Sequence, residues 1–114
     1  MNQNKKDILI GFAVLILEIL LLYYLWKNNI VLTFLLILIS VIVLVKFTSK
    51  KEKIFYLFGL IFLQIFDLTL VPRGVWGYGN TSFLGIPIWL PFTYGLGTVM
   101  VVKIGNAISN ILPN

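Results

Sequence analysis

The sequence predicts an all-α integral membrane protein, a four-helix bundle whose single domain spans residues 1–114. Three observations predict it. Four long apolar runs follow one another, at about 8–26, 30–47, 54–71 and 86–104. Only 11% of the residues are charged, against roughly 25% in a soluble domain. The cations gather at the ends of the runs rather than along a polar face.

A bilayer core about 30 Å thick takes roughly 17–25 helical residues to cross. The first run, from Ile8 to Trp26, is long enough. It is also longer than the apolar core of a signal peptide, and no small-residue cleavage site follows it. Tyr23, Tyr24 and Trp26 read as an aromatic belt at its outer end. The tight connection Lys27-Asn28-Asn29 makes the second run an antiparallel neighbour of the first. That run, from Ile30 to Val45, reaches full length through Lys46 and Phe47, which snorkel and anchor at the interface. Its one strongly polar side chain, Ser40, is expected to bond its own helix backbone. A basic loop at 46–53 leads to the third run, and its lysines meet anionic lipid head groups. Lys5, Lys6, Lys46, Lys50, Lys51, Lys53 and Lys103 fall on one side of this arrangement, while Lys27 and Arg73 fall on the other. The positive-inside rule then places both termini in the cytoplasm of a cell-membrane protein and the stretch from Thr69 to Pro91 on the outer side.

Composition excludes several chemistries. The chain has no cysteine and no histidine. Thiolate nucleophiles, imidazole acid–base catalysis and the common zinc and haem ligands are therefore absent. The four carboxylates, Asp7, Glu18, Glu52 and Asp67, are too scattered for a hard-cation site, so no metal and no cofactor is expected. The positive net charge does not point to nucleic acid, because no basic face exists.

Glu18 and Asp67 are the candidate catalytic residues, since ionisable groups inside a span are costly and mark function by default. Glu18 lies about 15 Å along its helix from Ile8, and Asp67 about 20 Å from Ile54, at 1.5 Å per residue. The two helices run the same way, so the carboxyls are expected at similar depth. Gln64 and Asp67 share a face at i, i+3, with Tyr56 on it nearer the cytoplasm. Gly11, Val14, Glu18, Leu22 and Leu25 form the matching stripe on the first helix, with Gly11 permitting close approach. The functional reading is a small polar pocket of Glu18, Gln64 and Asp67, closed from outside by Arg73 and Tyr78. The structural reading is a polar cluster that only ties helices together.

The connection from Pro72 to Gly85 is rich in glycine and aromatics. Its Gly-x-x-Gly-x-Gly spacing lacks the βαβ context of a dinucleotide site. Leu70 to Gly74 also reads like a protease-cleavage linker, but such a linker is out of place between two spans. Either Pro87 or Pro91 opens the last helix. If Pro87 opens it, Pro91 kinks it. Trp76, Tyr78, Trp89 and Tyr94 supply area to fold this segment back onto the helices, and with Gln64 and Arg73 they are the candidate ligand-binding residues. Tyr94, Gly97, Thr98 and Val101 are expected to form a small-residue packing seam.

Asp67, the Arg73-Gly74-Val75-Trp76-Gly77-Tyr78 run, Phe83-Leu84-Gly85-Ile86 and Leu90-Pro91 together resemble the lycopene cyclase domain and the membrane carotenoid hydratases. The segment from Gly85 to Pro91 also resembles a motif of small multi-pass microbial membrane proteins. The resemblance covers about 25 residues. It implies a multi-span helical fold and acid chemistry on an isoprenoid polyene. The cyclase pattern continues with paired glutamates, whereas Phe92, Thr93 and Tyr94 stand here, which leaves Asp67 as the acid within the resembling stretch.

Three functions follow as expectations. The first is a membrane protein that binds an isoprenoid or other lipid in an apolar groove, with surrounding lipids and a homo-oligomer as partners. The second is a cyclase- or hydratase-like membrane enzyme using Asp67 or Glu18 as general acid. The third is a small transporter subunit, for which the chain has few polar residues to line a wet path.

Overall fold

The computed structural model describes residues 2–74, 77–78 and 85–113. The described residues are helical, with α1 over Gln3–Leu25, α2 over Asn29–Lys46, α3 over Lys50–Leu70 and α4 over Leu90–Ile111. The first three are long and apolar enough to cross a membrane. The expected spans agree with these helices to within a few residues at most ends. The last run is the exception, because its helix starts at Leu90 and continues to Ile111.

Local chemistry sets the boundaries. Asn2 caps α1 by accepting from the Lys5 amide at 2.9 Å, and Asn28 caps α2 by accepting from Val31 at 3.2 Å. Ser49 and Glu52 form a reciprocal capping box at the start of α3, with bonds of 3.2 and 3.1 Å. Each cap satisfies amides that lack an intrahelical partner. The basic loop expected at 46–53 is consequently much shorter. Lys50, Lys51 and Lys53 lie on the first turns of α3. Pro91 sits in the first turn of α4, where its missing amide is harmless, so it introduces no kink.

The helix α4 is the central element and packs on all three others. Its buried residues include Leu96, Val99, Met100, Lys103, Ile104 and Ala107, whereas α1 buries only Gly11 and Glu18. Gly11 lets α1 approach α4: a Cβ there would run into Ile104 and come within 3.3 Å of the Met100 carbonyl. One hydrophobic cluster joins Leu32, Leu36, Ile86, Trp89 and Leu90. A second joins Val43, Tyr56, Leu96, Val99 and Met100.

The helix α3 is not uniform. Gly59–Leu63 forms one wide π turn, which accommodates one extra residue. The buried residues of α3 are Tyr56, Gly59, Gln64 and Asp67. At about 100° per residue these four would spread over about 140° of an unbroken α-helix, and the extra residue narrows that to about 80°. Gly59 seats the wide turn on α4, since a Cβ there would collide with Thr98 and lie 2.8 Å from the Tyr94 carbonyl. The packing seam on α4 thus runs through Gly95 and Thr98 rather than Gly97 and Val101. Nothing lies within 4 Å of a Cβ built on Gly97, and Val101 is exposed.

Candidate functional site

Asp67 is fully buried on α3. Its Oδ1 accepts a 2.7 Å hydrogen bond from the Tyr78 hydroxyl, and Gln64 Nε2 approaches Oδ2 at 3.5 Å. The Tyr78 and Tyr94 hydroxyls are 2.8 Å apart. A phenol carries one hydroxyl hydrogen. Because Tyr78 gives its hydrogen to Asp67, Tyr94 donates to Tyr78. A directed chain therefore runs from Tyr94 on α4, through Tyr78 in the connection, to Asp67 on α3.

Tyr94 also lines an open groove of about 590 Å³ between α1, α3 and α4. Leu15, Ile19, Leu22, Leu63, Val101 and Val102 make most of its wall. Its polar contributions come from Glu18, Thr93, Tyr94 and Thr98. Glu18 is buried, and its Oε1 has no hydrogen-bond partner. No hydrogen bond joins Glu18 to Asp67. Tyr94 belongs to both features: it lines the groove with Glu18, and its hydroxyl bonds Tyr78 on the chain to Asp67.

The structure thus brings Gln64, Asp67, Tyr78 and Tyr94 together and places Glu18 on the adjoining groove. Two expected residues fall outside. Arg73 is exposed, in the turn that follows α3, and forms no ion pair among the described residues. Trp89 belongs to the apolar cluster with Leu32 and Leu36, and its Nε1 donates to Asn29 Oδ1 at 3.1 Å. It ties α4 to the start of α2. Trp76 lies outside the described residues.

Two polar contacts lie beyond what sequence reasoning found. Ser40 does not bond its own backbone. The Tyr56 hydroxyl donates to Ser40 Oγ at 2.8 Å, between α3 and α2. The signal was present, because the two residues are equidistant from Thr48 in the turn of a helical hairpin. Lys103 is buried at the opposite end of α4 from Tyr94. It lies 3.0 Å from Glu52 and 3.6 Å from Asp7. Glu52 caps α3 and pairs with Lys103 at once, which fixes α1, α3 and α4 around one cation. No group of histidine, cysteine, aspartate or glutamate suited to a metal ion occurs among the described residues.

No family model matches the chain, and no curated protein or solved structure matches it either.

Proposed function

We propose that this is a small multi-pass membrane protein that holds an isoprenoid or other lipid in the groove between α1, α3 and α4. One observation carries the reading: the groove of about 590 Å³ has walls that are mainly aliphatic and opens between α4 and two helices, α1 and α3, that are apolar enough to cross a membrane. Sites for small apolar ligands are concave, mostly apolar and provided with a few polar groups. Glu18, Tyr94 and Thr98 supply those groups here. In this reading all four helices cross the cell membrane, both termini are cytoplasmic, and the Asp67 network lies toward the outer side.

A second reading is favoured by the Tyr94–Tyr78–Asp67 chain. It links the groove to a fully buried carboxyl group; with Asp67 protonated and both hydroxyls reversed, the same chain would pass a proton toward the groove, as acid chemistry on a polyene requires. Purification from a carotenoid-producing host, followed by a visible spectrum and pigment analysis, tests both readings. Bound pigment with an unchanged host profile supports the binding role. A converted pigment that disappears in Asp67→Asn or Glu18→Gln, with binding retained, supports the enzyme. Purified protein free of pigment and of any other co-purifying lipid contradicts both.

A further inference from the structure

We infer that the groove's occupant is a long-chain lipid alcohol whose hydroxyl donates a hydrogen bond to Glu18. This rests on the lipid-binding reading above and adds the chemistry of the head group. Glu18 is 4% exposed, its Oε1 is unpartnered, and it makes no hydrogen bond or ion pair with any described residue. A buried acceptor left without a donor is destabilising, and such groups are few in native proteins. The terminal torsion of a glutamate is broad, so either oxygen turns toward the groove at little cost.

The remaining lining selects among head groups. No lysine or arginine is among the described residues that line the groove, so an anionic head group would meet a carboxyl group with no cation to offset it. An alkane would leave Glu18 unsatisfied. Thr98 lines the same groove, and its hydroxyl makes no hydrogen bond among the described residues. A ligand hydroxyl can donate to Glu18 and accept from Thr98, using both of its capacities. An ether only accepts, so it can pair with a carboxyl hydrogen but leaves Oε1 without a donor, and an ammonium only donates, so it leaves the Thr98 hydroxyl without an acceptor.

The test is competitive photolabelling of the full chain in phosphatidylcholine vesicles, with a diazirine-bearing tetradecanol as the probe. Unlabelled tetradecanol, its methyl ether, tetradecane and tetradecylamine serve as competitors at equal membrane mole fraction. In the wild-type protein, tetradecanol is expected to compete about threefold to tenfold better than the ether, the range that one membrane hydrogen bond supports. Labels are expected on α1 and α4 near Glu18 and Thr98. Glu18→Leu is expected to abolish the preference and Glu18→Gln to keep part of it, because the amide oxygen still accepts. Equal competition by alcohol, ether and alkane overturns the head-group assignment while leaving an apolar site in place. Stronger, Glu18-dependent competition by the amine overturns it in favour of a cation. No saturable labelling removes the lipid-binding reading together with the inference. The wild-type comparison of alcohol with ether needs no variant, so a misfolded Glu18→Leu protein would not rescue the idea.

Discussion

Tyr78 has one hydroxyl hydrogen and gives it to Asp67, while its oxygen accepts from Tyr94. Tyr78→Phe removes the bonds to Asp67 and to Tyr94 at once, whereas Tyr94→Phe leaves the Tyr78–Asp67 bond in place. Interhelical hydrogen bonds in membranes average about 0.6 kcal/mol and reach about 1.7 kcal/mol. Tyr78→Phe should therefore lower the free energy of unfolding in a detergent titration by about 1–2 kcal/mol, and Tyr94→Phe by roughly half as much. Equal losses would mean that the hydroxyls do not act in series. At the other end of α4, Lys103→Met strips Glu52 and Asp7 of their shared cation. Hydrogen bonds to charged groups contribute about 1.5–3 kcal/mol, and a loss of that size is expected in the same assay. Glu52 and Asp7 are themselves partly exposed, which favours the lower end of the range. Adding Glu52→Gln to Lys103→Met should cost less than the sum of the two single changes, because the partners are in contact.

The π turn governs α3 as an element. It turns Gln64 and Asp67 onto the side where Tyr56 and Gly59 already pack. Deleting Ile61, an exposed residue inside the wide turn, would convert it to an ordinary α turn and leave the buried side aligned. That deletion should be tolerated. Deleting Leu57, exposed but outside the turn, would rotate Gly59 away from Thr98 by about 100° and should lower the thermal midpoint sharply. Similar midpoints for the two deletions would count against the packing role of the turn. This is also where the sequence was hardest to read. Gln64 and Asp67 are three apart and visibly share a side, but nothing in a continuous apolar run marks where one extra residue sits. Gly59, where α3 meets α4 most closely, carried no signal that set it apart in that run. Lys103 was misleading for a related reason. A lysine near the end of an apolar run reads as a topology signal, and its pairing with Asp7 and Glu52 depends on three helices converging. The stripe through Gly11 and Glu18 was legible, because it follows helical periodicity alone.

For the whole molecule, hydropathy and short connections were enough to lay out the first three helices, whose starts rest on local caps, but not the bounds of α4, which starts without a side-chain cap. The orientation proposed from lysine placement is open to direct measurement. The chain has no cysteine, so single reporters are clean. Cysteines at Asn2, Lys51 and Asn110 should react with a membrane-impermeant maleimide only after permeabilisation, and those at Lys27 and Gly77 in intact cells. The reverse pattern would invert the topology. The groove was not legible, because Gly97 and Val101 carry the small-residue pattern of a buried seam and only the three-dimensional packing leaves them open. Gly97 also offers the most direct test of the lipid-binding claim. A Cβ added there meets open space, and tryptophan is a better helix former than glycine, by roughly 0.5 kcal/mol. Native mass spectrometry of the purified wild-type protein should show a bound apolar lipid, and Gly97→Trp should lose it while keeping its thermal midpoint. An equal amount of lipid on both proteins, or none on the wild type, would contradict the account.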